Sequence, residues 1–192
     1  MPLMDAQFWC LGEEMKLLGV ALLLVGISAM AASTQSPYSG EELREIKSLS
    51  PVEIQNLQQG SGMGFAKAAE LNQYPGPKHV LELAEQLQLT GQQIAQTNHV
   101  FNKMQEKAID VGSQLIRHEK ELDSLFSSGL VSTSKLDGKL SQIGETRAKL
   151  RGVHLHAHLE MKRILSHHQI MIYDKLRGYS NGSGSHEHHH QH

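Results

Sequence analysis

The run from Leu89-Thr90-Gly91-Gln92-Gln93 to Leu165-Ser166-His167-His168-Gln169 opens and closes on one pattern: Leu, then Thr or Ser, two residues, then Gln. Each copy spells a helix start. The Thr90 or Ser166 hydroxyl can accept from the backbone N–H three residues on, and the Gln there can reach back to the cap residue's own N–H. Two long apolar-periodic segments joined by a short polar turn lie between the capping boxes. The stretch therefore predicts an antiparallel helical hairpin.

The outgoing helix, from Gln92, carries a stripe on Ile94, Thr97, Phe101, Met104, Ala108, Val111, Leu115, His118, Leu122 and Leu125. Its alternating steps of three and four suit a coiled-coil seam on a helix about 50 Å long. Gly129 fits the left-handed position past a helix end, and Ser132-Thr133-Ser134 offer N-caps for the return helix. Leu136, Leu140, Ile143, Arg147, Leu150, His154, Ala157, Met161 and Ile164 repeat the step. Polar residues at Thr97, His118, Arg147 and His154 weaken packing there while fixing register. Two helices cannot bury a stripe on both sides, so the open side must meet the short helices, a second copy of the chain, or a client.

Paired L-[TS]-x-x-Q motifs at the ends of one helical hairpin, with Leu89, Thr90 and Gln93 in the first and Leu165, Ser166 and Gln169 in the second, resemble the Spy/CpxP family of periplasmic chaperones and stress proteins. CnrX-type heavy-metal sensors are similar to that family. The resemblance spans roughly Leu81 to Tyr179. It implies a dimeric helical cradle that holds unfolded periplasmic proteins without ATP. It also implies, as alternatives, a heavy-metal sensor or metal-resistance protein, or an adaptor for a membrane-bound sensor.

Composition agrees with an all-α protein of one domain with a thin core, completed by dimerisation: only 5% of residues are aromatic, Pro is scarce, and Leu, Gln, Ala, Glu and Lys dominate the middle. Residues 15–31 read as a secretory signal, with Lys16, an apolar stretch, and Ala29-x-Ala31 for cleavage after Ala31. The apolar run is short for a bilayer span. Asp5, Glu13 and Glu14 have the wrong sign for the region ahead of a signal, so Met15 is the expected start and residues 1–14 fall outside the protein. Cleavage would take away Cys10, the one cysteine, together with three acids of 20 and one base of 18, so charges balance at 17 each. Spy-like chaperones tend to be basic, and this chain departs from them there. No basic surplus exists for a nucleic-acid backbone.

Residues 32–77 read as a leader with short helices and a Gly/Pro loop. Leu43, Ile46, Leu49, Ile54 and Leu57 are its apolar positions, Ser50-Pro51 make a cap and first-turn pair, and residues 66–72 make a helical turn. Gly60-Ser61-Gly62-Met63-Gly64 lacks the strand and spacing of a phosphate loop and reads as a plain connection. Tyr74-Pro75-Gly76-Pro77 is a turn. His79–Leu87 is a short helix, with Val80, Leu83, Ala84 and Leu87 on one stripe, leading into the hairpin domain at 78–179. A last short helix carries Ile170, Ile172, Tyr173 and Leu176. Residues 180–192 form a Gly/Ser/His-rich tail.

Nothing in this pattern spells an enzyme: there is no catalytic thiol, no H-E-x-x-H, and the G-x-S-x-G at 178–182 lacks the strand and helix of a nucleophile elbow. Thirteen histidines are the remaining signal. His154 and His158 stand one helical turn apart with Met161 nearby, a spacing that could share copper, nickel or zinc; no cofactor is otherwise required. The alternative makes His154 a polar seam residue and His158 its exposed neighbour. In the tail, His186, His188, His189, His190 and His192 could scavenge metal.

Overall fold

The computed structural model describes residues 36–179. The signal-like run and the tail histidines lie outside the described residues. Among the described residues the chain is all-helical: a 3-10 turn at Glu41–Leu43, then α1 (Pro51–Gln58), α2 (Lys67–Glu70), α3 (Pro77–Glu82), α4 (Gly91–Ser127), α5 (Thr133–Ile164) and α6 (His167–Leu176). The long α4 and α5 pack on each other as the central pair, and the short helices lean on them. At about 1.5 Å per residue, the 37-residue α4 is about 55 Å long.

The termini follow local chemistry. Ser132 caps α5, and Gly129 past the end of α4 takes φ +69°, the left-handed region that glycine enters without a Cβ clash. Ser50 and Pro51 start α1 as expected, and Glu53 completes that start. Glu53 accepts from the Ser50 N–H at 2.9 Å while its own N–H donates to Ser50 Oγ at 3.2 Å, a third capping box. Hydrogen bonds from the Ser50 backbone and then its hydroxyl hold the Glu53 carboxyl below the usual range. The expected His79–Leu87 helix closes early, at Glu82. The chain turns over Ala84–Gln88, so the Leu89 N–H reaches the Ala84 carbonyl at 3.0 Å and Leu87 enters the core, with Gln88 at φ +50°.

The buried rhythm of the central pair differs from the expected seam. Thr97, Val100, Ala108, Val111, Leu115 and Glu119 are buried on α4, with Met104 half-buried between them. Val100 and Glu119 stand where Phe101 and His118 were expected. On α5 the set is Ile143, Thr146, Leu150, His154, Ala157 and Met161, with Thr146 in place of Arg147. Both sets step three, four, four, the spacing of a nearly straight helix, where a strict three-four alternation would need left-handed supercoiling. Polar residues fit because their bonds are made. Thr97 and Thr146 donate to the carbonyls four residues back, each at 2.7 Å, and Glu119 accepts from Arg147 at 2.7 Å and from Ser48 at 2.9 Å.

Two apolar cores result. In one, Ile46, Leu49 and Leu57 pack with Ala108, Val111, Leu115, Ile143 and Leu150. Leu43, expected on the same stripe, is 85% exposed, because the chain there forms only a 3-10 turn. The contact is close at Gly112, where a Cβ would stand 2.5 Å from the Leu57 carbonyl oxygen. In the other core, Val80, Leu87, Val100, Ala157, Met161, Leu165, Ile170 and Tyr173 bring α3, α4, α5 and α6 together. No helix among the described residues is long and apolar enough to cross a membrane.

Candidate functional site

The two sequence motifs meet. Thr90 Oγ1 accepts from the Gln93 N–H at 3.2 Å and the Thr90 N–H donates to Gln93 Oε1 at 3.1 Å. Ser166 and Gln169 repeat this at 3.2 and 2.9 Å. The glutamines then pair with each other: Gln93 Nε2 donates to Gln169 Oε1 at 2.9 Å, and Gln169 Nε2 donates to Gln93 Oε1 at 3.1 Å. Each spends its second amide hydrogen on a backbone carbonyl, Gln93 on Ile164 at 3.0 Å and Gln169 on Leu87 at 3.1 Å.

Both donors and both acceptor sites of each amide are therefore used. A glutamine at the third helical position is a common capping partner; here it also joins two helix starts and closes the carbonyl ends of the segments that precede them. Leu89 is half-buried and Leu165 is buried, so the leucine of each motif anchors its box to the apolar core beneath.

One turn beyond Gln169, α6 makes a second, ionisable junction. Tyr173 is fully buried; its hydroxyl donates to Glu70 Oε1 and accepts from the Gly76 N–H at 3.4 Å. Tyr179 donates to the same carboxylate oxygen at 3.2 Å, and His79 Nδ1 and Arg177 Nε approach it at 3.5 and 3.6 Å. His158 Nδ1 lies 3.6 Å from Glu70 Oε2 and donates to the Tyr74 carbonyl at 2.7 Å. Burial and then the Glu70 carboxylate push the Tyr173 hydroxyl far above its ordinary value, so it stays a proton donor. A cavity of about 450 Å³ opens beside this cluster, reached by Lys67, His79 and His158.

Of the histidine pair, His154 lies on the buried stripe of α5 as the alternative reading expected, whereas His158 is not the exposed neighbour expected beside it. His158 is 7% exposed, because the Tyr74–Pro77 turn lies over it. His154 is 2% exposed, stacks on Phe65 at 5.8 Å between ring centres, and leaves Nε2 without a hydrogen-bond partner. Burial, and secondarily the neighbouring His158, holds His154 below its ordinary pKa and keeps it neutral. Met161 is fully buried in the apolar core. Among the described residues no group of three or more His, Cys, Asp or Glu side chains is arranged to hold a metal ion.

Glu70, His79 and Tyr179 were not singled out from sequence, and Tyr173 was read only as a residue of the last short helix. They come from α2, α3, α6 and the residues after α6, and no spacing links them; only Tyr173, four residues after Gln169, carried a positional hint. Comparison with protein-family models, curated proteins and solved structures gives no match to this chain.

Proposed function

We propose that this chain is an ATP-independent periplasmic chaperone or envelope-stress protein of the Spy/CpxP type, exported through residues 15–31. In this proposal α4 and α5 form an antiparallel hairpin that pairs with a second copy and holds unfolded proteins on its uncovered apolar side chains. The observation that supports it most is the reciprocal Gln93–Gln169 pair. It makes the two L-[TS]-x-x-Q motifs one structural unit, which gives a physical reason for their occurring together. Ile94, Ile109, Leu140 and Leu159 on α4 and α5 supply exposed apolar surface of the kind a weak, reversible holder needs.

The test is light scattering from a reduced or heated substrate protein with the purified chain at equimolar ratio and no nucleotide. Slowed aggregation, lost in Leu140→Asp with Leu159→Asp while helicity is kept, supports holding of clients. Unchanged scattering at tenfold excess overturns it and favours an adaptor for a membrane-bound sensor.

We offer as a second proposal a heavy-metal sensor for copper, nickel or zinc, in which His158, 3.6 Å from Glu70, supplies a ligand. Its test is a thermal melt with each metal. Stabilisation lost in His158→Ala and Glu70→Gln supports sensing by the folded helices, whereas metal uptake without stabilisation confines binding to the tail.

A further inference from the structure

A groove of about 580 Å³ runs between α4 and α5, within the range of about 300–1,000 Å³ that ligand pockets occupy. Its floor is apolar, made by Val100 and Met104 from α4 and Val153 and Ala157 from α5. Gly152 keeps one wall low: a Cβ there would meet only the His156 ring edge, at 4.0 Å. The rim is polar and unequal. Lys103 pairs with Glu160 at 3.6 Å, which neutralises the rim at that point. Lys107, one turn further along α4, and Lys149, on the α5 side toward Arg147, also line the groove, and neither forms an ion pair among the described residues. Three lysines against one glutamate leave the groove cationic, with the excess away from Glu160.

Both walls are helices, whose backbone N–H and C=O groups are already bonded within each helix. An extended peptide could not add to them as a strand, so recognition here rests on apolar contact along the floor and charge at one end. We propose that the groove binds a single-chain anionic amphiphile, an alkyl carboxylate lying with its chain over Met104 and Val153 and its head between Lys107 and Lys149. The reverse orientation would set the carboxylate against Glu160. This site does not depend on the holding of unfolded proteins.

Calorimetric titration of the purified chain with monomeric dodecanoate, below its micelle concentration, tests it, with dodecyltrimethylammonium as the oppositely charged probe. Dodecanoate should bind with one-to-one saturation and the cationic probe at least about tenfold more weakly, since the same chain then carries a repelled head. Lys107→Glu with Lys149→Glu should weaken dodecanoate by about tenfold or more. Gly152→Leu, which raises the low wall and fills the groove from a position open to a larger side chain, should remove saturable binding while circular dichroism stays helical. Equal binding of the two probes, or dodecanoate binding unchanged in both variants, overturns the proposal. So does uptake only from dodecanoate-containing phosphatidylcholine vesicles with none of the monomer, because that would be adsorption to a bilayer.

Discussion

Gln169 and Tyr173 stand one turn apart on α6 and both tie it to distant parts of the chain, yet the two ties are built from opposite chemistry. Around Gln169 every partner is a neutral amide, hydroxyl or backbone unit, and every side-chain amide donor of the glutamine pair has its acceptor. Around Tyr173 the partners are a carboxylate, a second phenol, two imidazoles and a guanidinium, gathered on Glu70 with side-chain exposure of 12%. A neutral saturated network gives the same bonds at any moderate pH. The Glu70 junction is held instead by charge, with five side chains converging on one carboxylate. The helix is thus held by one fixed, neutral tie and one charged tie.

Breaking the fixed tie should have the largest effect. Gln169→Ala leaves the Leu87 carbonyl, the Ser166 N–H and half of the Gln93 amide without partners, and should lower unfolding free energy by about 3 kcal/mol. Urea denaturation measures it. With Gln93→Ala, a double-mutant cycle should give a coupling of about 1–3 kcal/mol, because the residues share reciprocal bonds. Additive losses would mean that the two boxes act separately.

Gly76→Ala strains the charged tie alone. Gly76 has an extended backbone that alanine adopts freely, but its Cβ would lie 3.0 Å from His158 Cε1 and 3.2 Å from Glu70 Oε2. A loss of about 1–2 kcal/mol is expected by thermal melting, smaller than for Gln169→Ala because side chains can shift. Next come the caps themselves. Thr90→Ala and Ser166→Ala should each cost about 1 kcal/mol in the same melts, since each removes one acceptor while the glutamine pair stays.

The smallest expected effect is on pH dependence. His154 is held neutral by burial, so the unfolded chain binds the proton more readily than the folded one. Stability from this residue is fully present above the ordinary imidazole value of 6.5 and is lost as pH falls toward the depressed folded value. His154→Phe, which preserves the stack on Phe65, should flatten the fall in melting temperature between pH 7 and pH 5. A slope identical to wild type would show that His154 does not carry the acid sensitivity.

What the sequence made legible was local. A capping box needs residues three apart, so Thr90–Gln93 and Ser166–Gln169 could be read directly, as could the all-α class and the long central helices. The pairing of the two boxes joins residues 76 apart, and no spacing announces it. The seam misled for a physical reason: Phe101, His118 and Arg147 fit a three-four rhythm, but Val100, Glu119 and Thr146 are the residues buried. Glu119 could enter the core only because Arg147 and Ser48 meet its carboxylate, a partnership invisible to a reading that ranks positions by apolarity. Glu70 carried no mark at all, since its neighbours come from separate helices and turns.

At Gly112 the missing side chain sets a separation. The carbonyl at Leu57 rests almost on the α4 backbone, so α1 rides closer than a side chain at Gly112 would permit. A methyl group there would lift α1 like a shim under one end of a plank. The tilt would reach Ser48, whose hydroxyl meets Glu119 on the same side of α4, and the apolar contacts of Ile46 and Leu49 beside it. A single hydrogen atom thus sets the alignment of a charged contact two helical turns away along α4.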